Sequence, residues 1–202
     1  MNPLRPRRCA LVCCVLALTL AGCGHMPVTS MVKLARIDFT ATDPDQFRAA
    51  VRLPMAIRPL RDRERLRIAV KLASGKEEIQ DFRLTEISDP ADVASLRDEI
   101  EADTHIFAFG LDPAEAARLV AFRDGLKRQQ AESGGRRGAI TISIVPEGCR
   151  SGEFPRGEVL FTTYLRTAET GGYVPLARDV DMRSLAPGRD LAREMPVCGQ
   201  TG

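Results

Sequence analysis

The sequence predicts an α+β protein, mostly β: an antiparallel sheet or sandwich of about seven strands, with one long helix at about 112–132 packed across it. Three observations predict it. Short runs alternate apolar and polar residues and are bounded by turn residues, the mark of half-buried strands. One stretch carries apolar residues at helical spacing behind an Asp-Pro pair. Strands and helices do not alternate as βαβ units, and there is no internal repeat.

The first strand is expected from Met31 to Phe39. Val32 and Leu34 share one face, Ile37 and Phe39 the other parity, and the slip at Ala35-Arg36 reads as a bulge. Leu66, Ile68, Val70 and Leu72 alternate with Arg67, Ala69 and Lys71. Ser74-Gly75-Lys76 then turns the chain so that Glu78 to Ile87 returns as a hairpin partner. Further strands are expected at Thr104 to Leu111, over Ile140, Ile142 and Ile144, and at Glu158 to Arg166. The last, Tyr173 to Val180, contains Pro175, which removes a ladder donor and assigns it to an edge. Pro146 to Gly157 reads as a loop.

Helix starts are marked by Asp43-Pro44, Asp89-Pro90 and Asp112-Pro113, with Asp as N-cap and Pro at the first helical position. The first is brief and ends before Pro54. The second places Val93, Leu96 and Ile100 on one face. The third has Glu115 where a capping box needs it, an apolar stripe of Leu119, Phe122 and Leu126, and a stop at Gly134-Gly135.

Composition is that of a globular protein: 44% hydrophobic and 28% charged. Aromatics are 5% and Trp is absent, which argues against stacking platforms for bases or sugars. The formal charge of +2 comes from 29 basic and 27 acidic residues. Arg5, Arg7 and Arg8 lie in the first 22 residues with no acid; beyond them 29 − 3 = 26 bases face 27 acids, a net −1. A nucleic-acid partner has no support in that balance.

Met1 to Arg8 is a basic start, and Cys9 to Gly22 is an uncharged apolar run. As a helix that run is about 21 Å long, short of the roughly 30 Å core of a bilayer, so an export signal is the better reading than a spanning helix. It ends Leu20-Ala21-Gly22-Cys23. These residues resemble the lipobox of bacterial lipoproteins, and the resemblance covers the first 24 residues. It implies cleavage before Cys23, a diacylglyceryl thioether on its sulfur and acylation of the new amine. Several acyl chains give the stable anchoring that one does not. Arg7-Arg8 raises the twin-arginine route, but the flanking Pro6 and Cys9-Ala10-Leu11 depart from that pattern and favour general secretion. Gly24, where aspartate would retain the protein at the inner membrane, points by the same resemblance to the outer membrane, facing the periplasm. The organisation expected is a signal peptide at 1–22, a lipidated tether at 23–30 and one globular domain at 31–202.

Cys9, Cys13 and Cys14 leave with the signal, and Cys23 carries lipid. Cys149 and Cys198 remain. In an oxidising compartment an even pair reads as a disulfide, with two separate thiols as the alternative. A metal site is disfavoured because His25 and His105 are the only histidines.

Candidate chemistry is sparse. Ser133 to Gly138 faintly resembles a phosphate loop, but its order is helix then strand, the reverse of what that loop needs. His105 alternates with Phe107 and Phe109, and Asp103, two residues away, is the candidate orienting carboxylate. A half-buried strand histidine is the plainer reading. Arg58, Arg61, Arg63, Arg65 and Arg67 suit anionic lipid headgroups or peptidoglycan carboxylates, or else a solvated loop entering a strand, diluted by Asp62 and Glu64. Asp179, Asp181 and Asp190 lack the spacing and glycine of a calcium loop. Glu153 and Glu158 have no context marking a glycosidase pair. The expectation is therefore no enzyme and no cofactor. The role expected is that of an accessory, structural or protein-interaction lipoprotein, held to a membrane through Cys23 and meeting an envelope partner. The alternative is a carrier holding a lipid or small hydrophobe between sheet and helix.

Overall fold

A computed structural model describes residues 27–35, 37–39, 41–72, 75–132, 134, 139–145 and 147–199. The expected signal segment at 1–22, Cys23, His25 and most of the Ser133–Gly138 stretch lie outside the described residues.

Seven strands form one antiparallel sheet that curls nearly into a barrel. They are β1 (Arg48–Pro54), β3 (Arg65–Lys71), β4 (Glu77–Ile87), β5 (Thr104–Leu111), β6 (Ala139–Val145), β8 (Leu160–Arg166) and β9 (Val174–Asp181), in the spatial order β6-β3-β4-β5-β1-β8-β9. Short strands β2 (Ile57–Pro59) and β7 (Gly148–Arg150) pair separately. The inward residues repeat every second position: Leu66, Ile68 and Val70 on β3, Phe82 and Leu84 on β4, Ala49, Val51 and Leu53 on β1, Phe161 and Leu165 on β8. Burying them is the main force that curls the sheet.

The long helix, α3 (Pro113–Glu132), starts on Asp112, whose Oδ1 accepts the backbone N–H groups of Ala114 and Glu115, each at 2.9 Å. The Glu115 carboxylate takes Arg118 one turn on. Gly134 follows the helix with φ +73°, the left-handed conformation of a helix stop. Leu119 and Leu126 enter the core, and Phe122 meets Phe82 with ring centroids 6.0 Å apart.

Three expectations fail. Met31–Phe39 is not a strand: Val28–Leu34 is a short helix, α1, lying against β9. Two apolar pairs of opposite parity made a weak alternation, and Ser30 with Leu34, one helical turn apart, is the inward pair instead. The Asp43-Pro44 signal starts a 3-10 turn of three residues, and Arg48–Pro54 is strand β1. That strand is buried on both faces, so it lacks alternation, and its alanines imitate a helix. The loop expected at Pro146–Gly157 contains β7. The Asp89-Pro90 signal gives a short helix, α2 (Pro90–Val93), continuing as a 3-10 turn at Ala94–Glu99. Leu96 is buried there as expected, but Ile100 is exposed.

This 90–101 segment covers the outer face of β1. Leu96, Ala50 and Tyr164 form a second small core outside the barrel. At the C-terminus two short helices, α4 (Met182–Leu185) and α5 (Leu191–Glu194), lead to a tail tied back by the Cys149–Cys198 disulfide. Arg150 N–H donates to Pro196 at 2.8 Å, and Cys198 N–H donates to Arg150 at 3.0 Å.

Candidate functional site

A cluster of paired charges sits where β1, β8 and β9 meet the 90–101 cover. Arg52 projects from β1 on the face opposite Val51 and Leu53, with its side chain 6% exposed. It donates to the Glu99 carbonyl at 2.9 Å, to the Glu101 carboxylate, to Thr162 Oγ1 at 3.3 Å and to Asp179 Oδ1 at 2.5 Å. Asp179 is aimed by a local distortion: its φ is +51°, and the β8–β9 register shifts around Thr163. Aspartate tolerates that conformation better than bulkier residues.

Beside it, Arg178 grips Glu99 with two nitrogens at 2.9 and 3.0 Å, and Tyr164 donates to the same carboxylate at 3.0 Å. The Arg178 contact, and then the Tyr164 hydroxyl, hold Glu99 below its ordinary carboxylate range. Burial, reinforced by Glu99, pushes the Tyr164 phenol up. A base with a depressed pKa and an acid with a raised one are both poorly suited to proton transfer near neutrality. The cluster closes charge on charge and clamps the cover onto the sheet.

A second cluster lies nearby. Asp92 accepts from Arg48 at 3.3 Å and from Arg166, whose guanidinium stacks on Tyr173 at 5.1 Å from the ring centroid. Burial pushes the Tyr173 phenol up to about 12.

Among the described residues, a cavity with mostly apolar walls opens between α3 and the sheet. Ile37, Phe39, Phe47, Leu66, Ile142 and Leu165 supply apolar walls, and Arg123 supplies a cation. Free space inside is about 10 Å³, roughly one water molecule. The Arg123 guanidinium is buried and donates to the carbonyls of Phe39 and Thr42, while its Nε has no partner. Burial holds it below the ordinary guanidinium range despite Asp124, Asp43, Glu169 and Asp38 around it. Four acids leave little electrostatic room for an anion, so Arg123 acts as a clasp on the 39–42 segment. The cavity lies between sheet and helix and has room for about one water molecule.

His105 lies on the inward parity of β5, opposite Leu53 and 5.9 Å from the Phe107 ring. Asp103 stands before the strand with φ +63°, its carbonyl accepting Met55 N–H at 2.8 Å. Among the described residues no group of three or more His, Cys, Asp or Glu could hold a metal ion. The arginine-rich stretch is largely spent on local partners. Arg67 is bidentate to Asp81 at 2.7 and 2.8 Å, Arg63 faces Glu147 at 3.9 Å, and Arg65 donates to the Asp62 and Glu64 carbonyls.

Sequence reasoning missed Arg52, Glu99, Tyr164, Arg178 and Arg123. The available signal was an arginine set between Val51 and Leu53 in an apolar run, and another on the apolar stripe of α3. No family model matches the chain, and comparisons with curated proteins and with solved structures find no match.

Proposed function

We propose that the chain is a lipid-anchored protein of the bacterial cell envelope whose folded domain serves a non-enzymatic role, presenting a rigid surface to a protein partner. One observation carries the export half of this reading. Cys149 and Cys198 are joined in a disulfide, and such bonds persist in oxidising compartments rather than the cytoplasm. The Leu20-Ala21-Gly22-Cys23 sequence supports the anchor. The non-enzymatic half is supported by how the clustered charges are used: Arg52 holds the Glu99 carbonyl, and Arg178 and Tyr164 hold its carboxylate.

The Cys23→Ala variant tests it in cells. The anchored reading expects unprocessed, unacylated protein of precursor mass. Normal cleavage and membrane retention in that variant would sink the anchor. Turnover of any envelope substrate that disappears with His105→Ala would sink the non-enzymatic role.

A second reading, a carrier of a lipid or small hydrophobe, is favoured by the apolar cavity beneath α3. It requires the 37–47 segment to move aside. Native mass spectrometry of the purified protein decides: a co-purified small molecule supports the carrier, and a bare mass opposes it.

A further inference from the structure

From α1 we infer that this helix is an interfacial foot: Met31 and Val32 rest in the headgroup region of the bilayer that holds the anchor, a surface of phosphatidylethanolamine and phosphatidylglycerol. The inference rests on the lipid-anchored reading and adds the orientation of the domain to it.

Two large apolar side chains on this short helix face away from the protein. Met31 and Val32 are each 56% exposed, while Ser30 is buried and Leu34 packs against the core. Single exposed apolar residues need no explanation; here two adjacent ones stand on a helix that begins five residues after Cys23. Cys23 precedes Pro27 by four residues, and a fully extended chain spans at most about 3.6 Å per residue, so the acylated residue lies within about 14 Å of Pro27. The start of α1 cannot leave the membrane surface by more than that. Lys33, also exposed, adds a cation of the sign that anionic headgroups attract. Partial insertion of two apolar side chains supplements the acyl chains and fixes which side of the barrel meets lipid.

The chain has no Trp, so one introduced indole reports alone. Full-length lipidated protein carrying Met31→Trp, or Val32→Trp as a second version, is reconstituted into vesicles of phosphatidylethanolamine and phosphatidylglycerol, with and without brominated acyl chains. Ile79→Trp, 52% exposed on β4 and four strands from β9, is the control. The foot predicts blue-shifted emission and roughly two-fold quenching by brominated lipid for Met31→Trp or Val32→Trp, with Ile79→Trp unaffected. Vesicles that float with bound protein, yet quench position 31 no more than position 79, overturn the foot and leave the anchor standing. Protein that neither floats nor carries an acyl group removes both.

Discussion

Cys149 and Cys198 lie 5.0 Å apart at Cα, 49 residues apart in sequence, and their disulfide holds the C-terminal tail against β7. Cys149 is itself buried.

Loss of this bond should cost about 4 kcal/mol on the chain-entropy view for a loop of this size. Urea unfolding of the Cys149→Ser, Cys198→Ser double variant checks it. Alkylation of the denatured protein without reductant should add no label at either position; two labels would show separate thiols.

Arg52 and Arg178 should differ although both meet acids. Arg52 is buried and ties the Glu99 carbonyl, Glu101, Thr162 and Asp179 to one guanidinium, so Arg52→Met should cost about 2 kcal/mol. Arg178 is 35% exposed, and Arg178→Met should cost 1 kcal/mol or about that. Equal losses in chemical denaturation would mean that the Arg52 cluster is not the clamp described.

Glu64 contributes a pH dependence of its own sign. Its side chain is 1% exposed, Oε1 has no partner, and burial raises its pKa from 4.5 to about 7, with Glu147 adding to the shift and Arg65 opposing it. The folded protein therefore keeps a proton that the unfolded chain has released. Stability from this group is complete below pH 4.5, declines as pH rises through about 7, and is lost above it. Glu64→Gln should match wild type at pH 4.5 and exceed it by about 2 kcal/mol at pH 8. A wild-type advantage at pH 8 would contradict this placement.

Arg123→Met should release the 39–42 segment, since both carbonyls that the guanidinium holds lie there. Limited proteolysis is the check. New cleavage near Phe39 to Thr42 is expected, with the barrel strands still protected; an unchanged digest would show that the clasp is dispensable.

The legible part of this fold is the part with one buried face. Leu66, Ile68 and Val70 alternate because Arg67 and Lys71 point to solvent, and α3 shows its stripe because its other face is wet. β1 was not legible because Val51 faces the barrel while Ala50 and Arg52 lie beneath the 90–101 cover, so neither parity stays polar. The same cover hid the charge cluster. Residues 52, 99, 101, 162 and 179 are distant in sequence and meet only once that segment folds over the sheet. The disulfide was legible by arithmetic, because Cys149 and Cys198 are the two cysteines left once those up to position 23 are set aside.

The most direct measurement is the intact mass of the protein extracted from membranes of cells that make it. A chain beginning at Cys23 and bearing fatty acyl groups, with its two remaining cysteines oxidised, is the predicted result. A chain that keeps Met1, or one that starts at Cys23 without acyl groups, would contradict lipid anchoring.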